Sequence, residues 1–151
     1  MASQIGRILA LDLGKKRIGL AISDPLGITA QGLKTLQRTR IRDDLDALAE
    51  LSQGMGVRLI LMGLPKHMSG RDSRQAVYTR EFADRLAEHT GIPIEYWDER
   101  WTSVAAERVL KESGISIEKR ARAVDRLAAM ILLESYLDSL PQTALPGEDP
   151  E

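Results

Sequence analysis

Apolar residues in this chain fall first into short runs and then into spaced stripes, and the change of period divides the sequence. Ile8-Leu9-Ala10-Leu11-Asp12-Leu13-Gly14 is a run broken by one carboxylate, and Ile18-Gly19-Leu20-Ala21-Ile22-Ser23 is a second run of strand length. Only Lys15-Lys16-Arg17 lies between them, which predicts a tight hairpin. Ile28 to Leu36, with Thr content and the punctuation of Gly27 and Gly32, adds a third strand and completes a meander. From Arg42 the period becomes helical: Ile41, Leu45, Leu48, Ala49 and Leu51 hold it until Gly54 and Gly56 stop it.

Val57-Arg58-Leu59-Ile60-Leu61-Met62 is apolar enough for a strand covered on both faces, and therefore for a parallel one. Gly63 to Gly70 reads as a loop, Tyr78, Phe82 and Leu86 as one face of a second helix ended by Gly91, and Ile92 to Asp98 as a strand. Thr102-Ser103 can cap a short helix through Leu110. The last helix, Ala121 to Leu140, is apolar around most of its circumference through Val124, Leu127, Ala128, Ile131 and Leu132, so it should pack on a sheet. The order predicts an α/β fold: a five-stranded mixed sheet, antiparallel meander plus parallel strands, flanked by helices.

Length and composition narrow this further. The 151 residues suit one domain, taken as 1–140, followed by a Pro-rich acidic tail over 141–151 that buries too little to order itself. No apolar run approaches membrane-spanning length, the amino terminus lacks a signal-like segment, and there are no cysteines, so a cytoplasmic location is expected. The net charge of −1 gives little long-range attraction for a polyanion, so nucleic-acid binding would have to rest on local patches.

Three acids sit where acids are awkward: Asp12 within the first strand, Glu99 just past the fifth, and Asp125 on the last helix. A carboxylate among apolar residues needs a cation or donors to offset several kcal/mol of desolvation. Each has an ordinary alternative. Asp12 can pair with Arg17 across the hairpin, Glu99 can end a strand beside Arg100, and Asp125 can favour a helix N-terminus. Asp125, however, shares the i, i+4, i+7 line with Ala129 and Leu132 and so borders the apolar stripe. If the first and fifth strands lie near each other, the helix can bring all three acids together, and such a cluster needs a divalent cation. Carboxylates without cysteine, with histidine confined to His67 and His89, favour Mg²⁺ and then Mn²⁺ over zinc.

The blocks Leu11-Asp12-Leu13-Gly14 with Ile18-Gly19-Leu20-Ala21, Gly63-Leu64-Pro65 with Gly70, Asp98-Glu99-Arg100-Trp101-Thr102-Ser103, and Val124-Asp125 with Ala128-Ala129 and Ile131-Leu132 occur in this order. Together they resemble the YqgF family of bacterial RNase H-like nucleases, over nearly the whole chain up to Leu140. The resemblance implies an RNase H-like fold similar to that of the RuvC Holliday junction resolvases. It also implies a metal-dependent endonuclease with Asp12, Glu99 and Asp125 as catalytic metal ligands for Mg²⁺ or Mn²⁺, and a role in maturing the 5′ end of precursor 16S ribosomal RNA or, by analogy, in junction resolution; the near-neutral charge adds the expectation that a pre-ribosomal particle delivers the substrate. Two departures touch substrate contact: Trp101 stands where relatives are usually aliphatic, and Lys119-Arg120-Ala121-Arg122 replaces a Lys-Gly-Lys-like approach to the last acid.

Candidate contacts to nucleic acid are Lys15, Lys16 and Arg17 on the hairpin, Lys66, Arg100, and Lys119, Arg120, Arg122 and Arg126 around the start of the last helix, where cations oppose the helix dipole. The alternative for each is a solvated basic surface. Trp97 and Trp101 flank Glu99; stacking on bases is open to them, but core packing is the stronger expectation. His67 is a loop histidine that can meet a phosphate. Other function classes remain in view: a Holliday junction resolvase, which needs two symmetric sites and hence a dimer, where this chain suggests a monomer; an actin-like nucleotide-binding loop, which needs a second domain; and a non-catalytic RNA-binding assembly module.

Overall fold

In the computed structural model, residues 6–65, 74–102, 106, 108, 111–112 and 120–141 are described, with 101 and 120–126 described by their backbone alone. The two apolar runs form β1 (Arg7–Leu13) and β2 (Arg17–Ser23), paired antiparallel with Asp12 opposite Gly19. Their turn closes through the Gly14 N–H, which donates to the Arg17 carbonyl at 2.9 Å. Only glycine fits there, because a Cβ at Gly14 would lie 2.6 Å from that oxygen. β3 (Ala30–Gln37) pairs with β2 and completes the meander.

Helix α1 (Ile41–Met55) ends on Gly56 in the left-handed region, where φ is 66°, and β4 (Val57–Leu64) then pairs parallel with β1. Helix α2 (Arg74–Thr90) leads to β5 (Ile94–Asp98), parallel to β4 on its other side. A 3₁₀ turn, Glu99–Thr102, follows β5, and helix α3 spans Arg120–Ser139. The sheet order is β3-β2-β1-β4-β5. The first and fifth strands are therefore not neighbours: β4 lies between them, and β1 and β5 run roughly 9–10 Å apart.

Because side chains alternate across a strand, β1 feeds two cores. Leu9, Leu11 and Leu13 pack with Leu45 and Leu48 of α1 and Phe82 and Leu86 of α2. Ile8 and Ala10 share the opposite core with Ala129, Leu132, Leu133 and Tyr136 of α3. Burying each Leu or Ile of these layers contributes on the order of 1.5–3 kcal/mol, which holds the parity of β1 firmly. Asp12 continues the line of Ile8 and Ala10, so it is on the α3 face.

Strand boundaries differ from the sequence expectation, beginning with β3, which spans Ala30–Gln37 where Ile28 to Leu36 was expected. Gly63 and Leu64 belong to β4, pairing with Trp97 and Asp98, where a loop was expected to begin. β5 begins at Ile94 and not at Ile92, since Pro93, without an N–H, contributes only its carbonyl, to Ile60 N. At the expected cap of the short helix, Thr102 closes the 3₁₀ turn by donating its hydroxyl to the Glu99 carbonyl at 2.6 Å, Ser103 lies outside the described residues, and Ala106, Arg108, Lys111 and Glu112 are helical.

Candidate active site

Asp12 sits near the C-terminal end of β1, half-buried, with a glycine on each side. Gly19 is its partner on β2; on β4, Gly63 follows Met62 as Asp12 follows Leu11, and Leu11 and Met62 are paired. A Cβ built at Gly19 would lie 3.5 Å from Asp12 Cβ and 3.6 Å from Ala129 Cβ. One built at Gly63 would lie 3.4 Å from Glu99 Oε1 and 3.1 Å from a Leu132 methyl. The two glycines thus form a shallow floor, with Asp12 rising between them, the Glu99 carboxylate resting over Gly63, and α3 passing across both.

Glu99 reaches this place from the 3₁₀ turn into which β5 runs. Ile94 and Tyr96 of β5 pack toward α2, whereas Glu95 and Trp97 face α3, and the Glu99 carboxylate comes to that second side, beside Gly63. Intervening β4 does not separate the two acids, because at Gly63 it carries no side chain. Both donors are carboxylate oxygens of the kind Mg²⁺ and Mn²⁺ accept, above a hollow that a single added Cβ would fill.

The third acid is placed by its helix. Ala129 meets Gly19, Leu132 meets Gly63, and Leu133 and Tyr136 join the core of Ile8 and Leu61, so α3 recedes from the acid end as the chain proceeds. Asp125 is one turn before Ala129, about 6 Å along the axis, which puts its backbone at the end of the sheet where Asp12 sits. Its side chain is outside the described residues. Among the described residues, which leave that carboxylate out, no group of three His, Cys, Asp or Glu side chains forms a metal cage.

Trp97 packs: its Nε1 donates to Ser135 Oγ at 3.0 Å and its ring meets Tyr136 edge-on, with centroids 5.2 Å apart. Tyr136 donates to Glu95 Oε2 at 2.8 Å, and its hydroxyl is pushed up to about 12 by burial first and by the Glu95 carboxylate second. Arg100 turns to Asp98, not to Glu99, with Nη2 2.6 Å from Oδ2. The contact is local: the Arg100 N–H also donates to Asp98 Oδ1 at 2.8 Å, so the Asp98 side chain closes the turn that Arg100 enters. Lys15, Lys16, Arg17 and Arg100 are exposed. Lys66, His67 and Lys119 lie outside the described residues, as do the side chains of Trp101, Arg120, Arg122 and Arg126.

On the opposite face the sequence reading missed a buried polar cluster. The side chains of Arg38 and Asp44 are only 8% and 2% exposed, joined at 3.3 Å from Nε to Oδ2. Asp44 also accepts from Thr39 N at 3.0 Å, and Arg38 Nη2 donates to Tyr78 Oη at 2.6 Å. A signal was available: Asp44, three after Ile41 and four before Leu48, falls inside the apolar stripe of α1.

Comparison with known proteins bears on this arrangement. Residues 6–139 match a family model described as RuvX, Holliday junction resolvase. A relative from Koribacter versatilis, named "Putative pre-16S rRNA nuclease", is 54% identical over 133 residues, covering 88% of this chain and 87% of its own. One of the same name from Syntrophomonas wolfei is 48% identical over 132 residues, covering 87% and 94%. Among solved structures, Thermus thermophilus RuvC in complex with a Holliday junction substrate superposes with a TM-score of 0.58 at 15% identity, covering 88% of this chain and 95% of that one. The yeast mitochondrial Holliday junction resolvase Ydc2 gives 0.53 at 14% identity, covering 88% and 78%. At these identities the structures establish the fold, a five-stranded mixed sheet of the RuvC-like RNase H type.

Proposed function

The chain belongs to the RuvX/YqgF family, and from that premise we propose that it is a divalent-metal-dependent endonuclease that cuts structured RNA in maturing the 5′ end of precursor 16S ribosomal RNA. The observation that carries the reading is the placement of Asp12 and Glu99 on one face, over the glycine floor of β2 and β4, under the first half of α3. Asp12, Glu99 and Asp125 are the residues proposed to hold the cation, Mg²⁺ or Mn²⁺. When bound, such an ion polarises the scissile phosphate and activates water. The chain's own part is to fix two carboxylates at a set separation, and to exclude side chains from the space between them. Lys15, Lys16, Arg17 and Arg100, all exposed, are proposed to meet phosphates beside it, together with Lys66, Lys119, Arg120, Arg122 and Arg126.

The floor makes a specific demand. Gly63→Ala sets a Cβ 3.1 and 3.3 Å from the Leu132 methyls, which must give by a few tenths of an ångström, and brings it into contact with the Glu99 oxygen at 3.4 Å. Filling the floor beside Glu99 is expected to lower turnover by more than roughly ten-fold, where a full 1 Å misplacement costs about 100-fold. Gly19→Ala makes contacts of 3.5 and 3.6 Å, which are ordinary, and should stay within roughly ten-fold of wild type. Cleavage rates of the two variants, compared at matched folded fraction, check this.

The protein is proposed to act as a monomer, with residues 1–140 as its single domain, in the cytoplasm where ribosomes are built. No helix among the described residues is long and apolar enough to cross a membrane. With a net charge of −1, few phosphates are neutralised and affinity for naked nucleic acid is weak, which suits substrate delivered on a pre-ribosomal particle. The second reading, junction resolution, is favoured by the RuvC-like fold and requires a dimer with paired sites. A gel series in Mg²⁺ or Mn²⁺ compares precursor 16S RNA with a mobile four-way DNA junction, using Asp12→Asn as the blank. RNA cleavage at lower enzyme concentration is the expected result; symmetric nicking of the junction at lower concentration than any RNA cut overturns the ordering.

A further inference from the structure

The turn that follows Asp12 is held from behind by a residue for which the proposed site has no use. Arg38 is on the α1/α2 side of the sheet, its guanidinium 5.5 and 5.4 Å from the ring centres of Tyr78 and Phe82. From there Nη1 donates to the Gly14 carbonyl at 2.9 Å, while Arg38 N donates to the Lys16 carbonyl at 2.9 Å. Gln75 Nε2 donates to the Leu13 carbonyl at 3.4 Å. The carbonyls of Leu13, Gly14 and Lys16 are thus each held by donors from residues of β3's end or α2.

Peptide planarity couples the back of the turn to its front. No peptide bond among the described residues is cis, so the Lys15 N–H points opposite to the Gly14 carbonyl. That carbonyl is drawn toward α2, hence the N–H is directed to the side that carries Asp12. Lys15 and Lys16 are both exposed, and among the described residues no acceptor meets the Lys15 N–H. An outward backbone donor beside two lysines is a small anion cradle.

We propose that this turn is a phosphate contact for the nucleic-acid strand, with Lys15 N–H and the Lys15 and Lys16 ammonium groups as its donors, and that Arg38 is the positioning residue that keeps the Gly14–Lys15 peptide facing the strand. Arginine suits the role because its planar fork spans Gly14, Asp44 and Tyr78 at once, which a lysine cannot do. The inference rests on the nuclease reading for its ligand, a phosphodiester, but not for its test.

Amide spectra of the ¹⁵N-labelled protein are recorded in EDTA, without turnover, while a single-stranded RNA oligonucleotide is added. The Lys15 amide is expected to move downfield in the wild type and in Asp44→Asn, which loosens Arg38 on the side away from the turn. In Arg38→Lys the movement is lost and affinity falls roughly three- to ten-fold, the share of one hydrogen bond. A merely structural Arg38 would make Arg38→Lys and Asp44→Asn bind alike at equal loss of melting temperature, which overturns the positioning role. A silent Lys15 in the wild type overturns the phosphate contact and leaves the nuclease reading standing. A responsive Lys15 in a protein that cuts neither RNA nor junction does the reverse. Should Arg38→Lys fail to fold, Arg38→Met combined with Asp44→Asn, which removes the donor to the Gly14 carbonyl without orphaning the Asp44 carboxylate, is read in the same way.

Discussion

Asp12→Asn, Glu99→Gln and Asp125→Asn are each expected to lower cleavage by roughly three orders of magnitude or more, equivalent to about 4 kcal/mol of transition-state stabilisation, while leaving the metal-free fold as stable as wild type or slightly more so. The stability half of this result follows from charge. If Asp125 joins Asp12 and Glu99 over the glycine floor as proposed, the three acids repel when no cation joins them, and neutralising one relieves that repulsion. An Asp12–Arg17 ion pair makes the opposite forecast for Asp12→Asn, but Arg17 is exposed, and a pair of that kind contributes no more than about 1 kcal/mol. Urea titrations in EDTA of wild type and Asp12→Asn, alongside cleavage rates in Mn²⁺, separate the two. A loss of several kcal/mol in Asp12→Asn would reassign the acid to a structural pair.

The largest stability effect is expected on the other face. Asp44→Ala leaves the Arg38 guanidinium buried without its carboxylate, together with the Thr39 N–H that the same carboxylate accepts from. Breaking a buried pair from one side costs about 3–5 kcal/mol, well above the surface-pair range. For a domain of this size that is a fall in melting temperature of roughly 10–15 °C, read by calorimetry or dye binding. Asp98→Ala is the control, because its partner Arg100 is 58% exposed and a shift of more than a few degrees there would contradict the distinction.

Much of this architecture was legible in the sequence because it is local. Apolar runs interrupted at Lys15-Lys16-Arg17 gave the hairpin, the helical period from Ile41 gave α1, and an all-round apolar helix gave the layer that α3 forms. The face of Asp12 was also implicit, since parity with Ile8 and Ala10 follows from strand geometry alone. Strand order was not legible, because it depends on which side each crossover takes, and so β4 appeared between β1 and β5 unforeseen. Gly63 was read as the start of a loop, whereas its lack of a side chain is what lets Glu99 approach across β4. The Arg38–Asp44–Tyr78 cluster joins residues 6 and 40 positions apart through packing, and a lone arginine after a strand carries no local sign of it.

The central claim is that Asp12, Glu99 and Asp125 together hold a divalent cation, and Mn²⁺ titration followed by the electron paramagnetic resonance of the free ion tests it most directly. The wild type is expected to take up Mn²⁺, with Mg²⁺ competing, and at a free-ion level ten times the dissociation constant to gain about 1.4 kcal/mol of stability. Asp12→Asn, Glu99→Gln and Asp125→Asn are each expected to lose that uptake while remaining folded. Uptake that is absent in the wild type, or identical in all four proteins, would contradict the account.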